Sequence, residues 1–440
     1  MRQPLPPVPT PPTRPLSLLA AIRVARTNTL AVIPAQAFEK PVLEQSLLMG
    51  RSFLVSDPEG VQRVLVDAWA NYPKAEFQNR TFAAAFGDGI LTSEGEVWRR
   101  HRRMMAPAFE HRRLAAYEPM MRETAAEIAS GWRAGDRIDV AQAMADISLR
   151  IIARAMFSGA GERLGPWMDR TLREMDAVLG RFGWPDLLPG VRDLRWRARR
   201  RTIARAFAEL DGWIAGLIAD RQSAPGGGDL LDRLIAAEDV ETGRRLNDKE
   251  VRDQLVTIFV AGHETTAVAL TWAWYLLSEH PEAEARLHEA LDASPETPPT
   301  YARQVMEEAM RIFPPVPRIP LRQAAVADEV CGVRIPHGAY VSISPWVIHR
   351  HRTLWADPER FDPERFAGAR PPRFSYLPFG AGPRVCIGAS LALNEATIVL
   401  SEVARRWRLK LAPGAAVAMR PRMTLRPMGP IGMELLPRPS

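Results

Sequence analysis

Cysteine and lysine are both scarce in this chain, and it has no long uninterrupted apolar run. Two cysteines in 440 residues cannot build a disulfide framework, which fits a reducing, intracellular setting. Only Lys40, Lys74, Lys249 and Lys410 represent lysine among 58 basic residues; all the others are arginines. Against 51 acidic residues this leaves a modest net charge of +7, spread over the whole chain, and no nucleic-acid partner is expected from it. Residues 16–33 are broken by Arg23, Arg26 and Asn28, and residues 255–277 by His263-Glu264. An ionisable pair at a bilayer centre costs roughly 2–3 kcal/mol per group. The expectation is therefore a cytoplasmic protein with no signal peptide and no integral membrane segment, in which 255–277 is a buried helix. Apolar residues make up 46% and charged ones 25%, proportions that exclude disordered, collagenous and channel readings.

Helical periodicity dominates from about residue 92 to 291, as in 120–132, 147–157, 203–218, 250–278 and 282–291, with loop signals at 223–229 and 294–299. Alternating segments of strand type occur at 52–56, 329–335 and 339–343, and 423–426 with 432–436 predict a hairpin pair. The predicted fold is mainly α with a small β portion, the strands coming mostly near the two ends. Residues 1–15 are proline-rich and read as a flexible, extended lead-in. No linker divides the remainder, so residues 1–440 are expected to form a single domain.

The densest signal is Phe379-Gly-Ala-Gly-Pro-Arg-Val-Cys-Ile-Gly388, followed by a helix-like segment over 389–403. Gly380, Gly382 and Gly388 let the backbone around Cys386 bend tightly and approach a flat object closely. Cys386 stands just before a helix start, where free N–H groups and the helix dipole favour a thiolate. A thiolate is a soft ligand for iron, and a lone axial cysteine is one of the few ways to hold haem. The bland alternative, a buried structural cysteine, is the common one in intracellular proteins. Six specified positions (Phe379, Gly380, Gly382, Arg384, Cys386, Gly388) coincide by chance in roughly one chain in 10^5, which reverses that prior. Cys331 has no such setting and reads as ordinary packing.

On these residues the chain resembles the cytochrome P450 haem-thiolate monooxygenases, from about Pro41 to the C-terminus, and further segments carry the likeness. Ala261-Gly-His-Glu-Thr-Thr266 is similar to the family's oxygen-activation segment. Ala261 and Gly262 are small enough for a planar cofactor and a diatomic ligand to lie against the helix, and Thr265 falls one turn later on the same face. A helical threonine can bond back to the carbonyl four residues earlier or turn outward. The resemblance implies that Thr265 holds water and oxygen and that Glu264 relays protons; His263 occupies a variable position. Glu308-Ala-Met-Arg311 places a carboxylate and a guanidinium on one helix face ahead of Pro314-Pro315. With Arg365 of Pro363-Glu-Arg-Phe366 it matches the family's buried network, which implies a role in holding the cysteine loop. Trp98-Arg-Arg-His-Arg-Arg103 looks like the helix that pairs with a haem propionate through Trp98 and Arg102, with His101 ranked below Arg102. Arg322 and Arg384 match two further propionate positions. Arg99, Arg100 and Arg103 read as a solvated face on the side where the family docks an acidic electron donor.

Residues 77–91, 182–191, Ala261 and 428–432 correspond to the family's pocket-lining or gating segments. Phe77, Phe82, Phe86, Phe182, Trp184 and Met428 among them suit a hydrophobic small-molecule substrate. The arginine-rich run 192–201 reads as a solvated lid. The resemblance implies haem b (iron protoporphyrin IX) on Cys386 and insertion of one oxygen atom from O2 into an organic substrate. No flavin or nicotinamide fingerprint and no fused reductase is present, so a separate ferredoxin and ferredoxin reductase are the expected electron donors, and a monomer is expected. Two rivals remain open: a peroxide-driven peroxygenase of the same fold, against which Glu264-Thr265 argues, and a non-catalytic haem-binding sensor.

Overall fold

The structure, a computed structural model, describes residues 8–14, 16–47, 50–110, 114–158, 189–224 and 228–438. The chain divides into two compact units, one of residues 1–74, 121–147 and 265–440, the other of 75–120 and 148–264. The helix Asp248–Glu279 contributes to both, passing from the second to the first between Glu264 and Thr265.

In the first unit, strands Val42–Leu47 and Gly50–Val55 pair antiparallel, with Val42 opposite Val55. Gly50–Val55 then runs parallel to Tyr340–Ile343, whose other edge takes the short strand Arg322–Gln323, Arg322 opposite Val341. Alternation along the strands puts Phe53, Val55, Val341 and Ile343 into one apolar core with Val61, Leu65, Ile335 and Leu377. Each such side chain stabilises the fold by roughly 1.5–3 kcal/mol on burial. A second sheet has Gly432–Pro437 in the middle, between Arg137–Asp139 and Trp407–Leu411. The pairing expected between 423–426 and 432–436 is not formed. Leu425–Pro427 pairs with Met419–Pro421 instead, because alternation marks a strand without naming its partner. The segment 329–335 is itself a hairpin, Asp328–Val330 against Val333–Ile335, and Cys331 sits half-buried in its left-handed turn at φ 49°.

The helices of this unit start and stop where proline permits. Pro281–Ala293 carries Pro281 at its first position and Glu282 and Glu284 in its first turn, where carboxylates suit the helix dipole. Thr300–Ile312 begins after Pro299 and ends before Pro314. Ala389–Ala404 follows the cysteine loop and buries Leu391, Ile398, Val399 and Leu400.

The second unit is helical: Glu76–Phe86, Gly95–Met105, Pro189–Ser223, Leu230–Ala236 and the N-terminal half of Asp248–Glu279. Pro189–Ser223 is much longer than the periodicity over 203–218 predicted. Its first turns are arginine-rich and have no apolar period, yet arginine is a strong helix former; Arg197 and Arg201 are exposed there, as a solvated face requires. Phe182 and Trp184 of the expected pocket lining, and the side chain of Arg192, lie outside the described residues. Asp248–Glu279 is the one described helix long and apolar enough to cross a membrane, and 83% of its most apolar window is buried inside the protein, the condition of a core helix.

Candidate active site

From Asp253 to Leu277 every residue of the central helix is buried except three: Ala261, Gly262 and Thr265. They fall within about 100° of the helix circumference, so the bared surface is a single small-residue stripe. A Cβ on Gly262 would come 3.2 Å from Ile152 Cδ1, so glycine also serves packing on its flank. Glu264 is 5% exposed and lies beside the stripe in sequence. Two other threonines of this helix are back-bonded, Thr257 to the Asp253 carbonyl at 2.6 Å and Thr271 to that of Ala267 at 2.7 Å, whereas the buried Thr266 hydroxyl has no hydrogen-bond partner.

The cysteine loop belongs to the first unit. Gly380 and Gly382 both adopt φ 73°, in the region that favours glycine. They differ in what surrounds them. A Cβ on Gly380 would meet nothing within 4 Å, whereas one on Gly382 would stand 1.9 Å from the Leu65 carbonyl oxygen. At Gly382 the missing side chain therefore makes room for protein backbone, the π-helical turn Arg63–Asp67, and the sequence expectation of room for a flat ligand is corrected there. The Cys386 N–H donates to the Phe379 carbonyl at 2.9 Å and closes the loop, and Gly388 caps helix Ala389–Ala404. Cys386 itself is exposed in the chain, unlike half-buried Cys331. A sulfur directed away from the core just ahead of a helix start fits an axial haem ligand. Among the described residues no three His, Cys, Asp or Glu side chains gather to hold a metal ion.

Behind the loop lies a buried polar network. Glu308 and Arg311 are both 0% exposed; Arg311 donates to the two carboxylate oxygens at 2.6 and 2.8 Å, and to the carbonyls of Pro358, His349 and Arg360. Arg365 brings its Nε within 3.4 Å of Glu308, and the Asp362 N–H donates to the same carboxylate at 2.9 Å. The expected trio is thus assembled. A residue missed by the sequence reading extends it: His349, fully buried, accepts the Leu377 N–H at Nε2 over 2.7 Å, while its Nδ1 lies 3.2 Å from the Arg311 carbonyl. Leu377 is two residues before Phe379, so the network reaches the cysteine loop through an imidazole. Burial, then the positive charges of Arg311 and Arg350, hold the His349 pKa down at about 3. The run His349-Arg-His351 carries no motif spacing that would have singled it out.

Helix Gly95–Met105 buries Trp98 at 5% exposure and leaves Arg102 half-buried one turn later. His101 is fully buried, its Nε2 3.5 Å from Glu250 Oε1 and 3.4 Å from Arg100 Nη2; burial lowers its pKa against the pull of Glu250. Its Nε2 is thus turned towards charged groups of the protein, while its buried Nδ1 has no hydrogen-bond partner. Arg99 pairs with Glu96, Arg100 with Glu250, and Arg103 with Asp239 and Glu241 at 3.0 and 2.9 Å. These three arginines are ion-paired, Arg99 within its own helix and Arg100 and Arg103 to other segments, rather than a bare cationic patch. In the first unit Arg322 is 7% exposed in its strand and Arg384 half-buried in the loop. Of the apolar lining expected, Phe77 and Phe82 are half-buried, Phe86 is buried with its ring 6.5 Å from that of Phe82, and Met428 is 58% exposed.

Likeness to known proteins identifies the class to which an outward thiol ahead of a helix and a bared core-helix stripe belong. The Cytochrome P450 family model matches residues 9–435, and the chain belongs to the cytochrome P450 family. Cyclooctatin synthase of Streptomyces melanosporofaciens is 37% identical over 88% of this chain and 86% of its own length. Cyclooctat-9-en-7-ol 5-monooxygenase of the same organism is 35% identical over the same shares, and pentalenene oxygenase of Streptomyces avermitilis is 33% identical over 83% of each chain. The crystal structure of the cytochrome P450DA heme domain superposes with a TM-score of 0.83 over 99% of this chain and 98% of that one, at 24% identity, which shows the fold. The protein is a haem-thiolate monooxygenase, an oxidoreductase that inserts one oxygen atom from O2 into a hydrophobic organic substrate with electrons from redox partner proteins.

Proposed function

We propose that Cys386 is the iron ligand of haem b and that the whole chain serves one haem domain in a cytoplasmic monomer. The observation that carries the site assignment is the stripe Ala261-Gly262-Thr265, the sole interruption in the burial of the central helix from Asp253 to Leu277. Haem bound at Cys386 would supply the activation of O2, one oxygen atom going to the substrate and the other being reduced to water with two electrons from the redox partners, and a thiolate ligand favours that O–O cleavage.

The chain's own residues do the rest. Trp98, Arg102, Arg322 and Arg384 hold the propionates, whose charges need cationic partners once buried. Phe379, Gly380 and Gly388 shape the loop that presents the Cys386 sulfur, and Ala261 and Gly262 keep the helix low where the cofactor lies. The Thr265 hydroxyl holds water or O2 by hydrogen bond, and the neighbouring Glu264 carboxyl passes protons to it. Glu308, Arg311 and Arg365 keep the loop in register and touch neither substrate nor oxygen.

The substrate class is a cyclic terpene hydrocarbon or alcohol. Support comes from the relatives, whose names specify pentalenene and cyclooctat-9-en-7-ol, and from the apolar residues Phe77, Phe82 and Ala261 of the second unit. Electrons come from a ferredoxin and its reductase. A titration panel of cyclic terpenes, fatty acids, steroids and simple aromatics, followed by the haem absorption, tests the class. Cyclic terpenes are expected to shift the haem absorption and to be hydroxylated with O2 and a ferredoxin system; a response confined to fatty acids or steroids would overturn the assignment.

A further inference from the structure

In the second unit one buried carboxylate fastens a loop to the central helix. Asp253 is 2% exposed and takes three donors, one from the loop and two from its own helix: the Asp88 N–H at 2.9 Å, Lys249 Nζ at 2.7 Å and Arg252 Nη1 at 2.9 Å. The next residue, Gln254, accepts the Ile90 N–H at 2.8 Å. Two amides of the loop after helix Glu76–Phe86 thus land on two consecutive side chains of helix Asp248–Glu279. The loop lies flat on the helix because both residues flanking Asp88 are glycines. A Cβ on Gly87 (φ 59°) would stand 2.2 Å from the Asp253 carboxyl, and one on Gly89 would stand 2.2 Å from Thr257 Oγ1. Thr92 Oγ1 closes the loop on itself by donating to the Gly87 carbonyl at 2.7 Å. On its other side Arg252 donates from Nε to Asp211 of helix Pro189–Ser223 at 2.7 Å and lies over the Phe207 ring at 5.9 Å. The same turn of the central helix therefore tethers both the loop and the long helix.

We propose that Asp253 is a positioning residue that latches the substrate entrance, setting how fast bulky hydrophobic ligands enter and leave. This rests on the reading that residues 77–91 line the pocket. The inner half of the latch is a buried carboxylate, which holds its donors strongly because losing them would leave a charge unsatisfied. The outer half, Asp88 and Lys249, is 72% and 67% exposed, so water can replace its bonds when the loop lifts. The glycines at 87 and 89 leave the lifted backbone free to turn.

The test uses the haem-loaded enzyme and two variants, Asp253→Asn, which keeps the shape and removes the charge, and Gly87→Ala, which wedges the loop away from an intact carboxylate. Stopped-flow spectroscopy reads association and dissociation of 4-phenylimidazole, and hydrogen exchange reads the amides of residues 88 and 90. Both variants should keep the reduced carbonyl spectrum of sulfur ligation, raise exchange at these amides, and speed ligand entry and exit roughly tenfold, the scale of one charge-assisted bond. The double variant should be no faster than either single one, because both act on one contact. Unchanged exchange in both variants refutes the latch. Raised exchange with unchanged ligand rates refutes the gating role and, with it, the assignment of residues 77–91 to the pocket.

Discussion

Replacing His349 with glutamine should flatten the acid side of the stability profile. Folded, the imidazole is neutral down to about pH 3, because burial and the Arg311 and Arg350 charges oppose a third cation there. Unfolded, it titrates near 6.5. Its pKa is depressed on folding, so its contribution to stability is fully present above pH 6.5 and is lost as pH falls from there towards 3. The slope over that window is about 1.4 kcal/mol per pH unit, which makes the loss at pH 5 about 2 kcal/mol. Glutamine offers an acceptor to the Leu377 N–H and a donor to the Arg311 carbonyl, with no proton to gain. Urea unfolding of the haem-loaded protein, followed by tryptophan fluorescence at pH 7.5 and pH 5, compares the two. The variant should lose about 2 kcal/mol less than the parent between these pH values. His101, His280, His288 and His351, whose pKa values burial also lowers, are present in both proteins and cancel in the difference. Equal losses would refute the reasoning.

Gly382→Ala and Gly380→Ala share the same left-handed φ, a cost of about 1–2 kcal/mol for each, but only the first drives a Cβ into the Leu65 carbonyl. The reduced carbonyl spectrum should therefore collapse in Gly382→Ala and survive in Gly380→Ala, and equal damage would contradict the packing argument. Arg311→Met strands Glu308 without its fork and should cost about 3–5 kcal/mol; retention of full haem content and normal thermal stability would show the network to be dispensable. Thr265→Ala should keep haem and sulfur ligation while diverting reducing equivalents into hydrogen peroxide, measured as product formed per nicotinamide cofactor oxidised; unchanged coupling removes Thr265 from proton and oxygen handling.

Much of this protein could be read from local pattern. The cysteine loop, the Ala261–Thr266 segment and the Glu308–Arg311 pair are contiguous, and their spacing alone carries the resemblance to the family. Helices were legible wherever an apolar period ran, as over 250–278 and 282–291, and strands wherever residues alternated. Partnership was not legible: the strand Gly432–Pro437 joins Arg137–Asp139 and Trp407–Leu411 rather than its predicted neighbour, because pairing depends on which distant edge is available. The same holds for single residues. His101 stands beside Arg102 in sequence, yet the helix turn aims it at Glu250. His349 and Asp253 belong to no motif, and their roles exist only because folding brings Leu377 to one and Asp88 to the other. Composition and spacing determined the chemistry available, one glycine-flanked thiol and one acid–alcohol pair, since these depend on residue type and near neighbours. Tertiary structure alone decided which buried polar groups are satisfied by which others, because a hydrogen bond or a charge pair over 3 Å is a property of position in space and not of order along the chain.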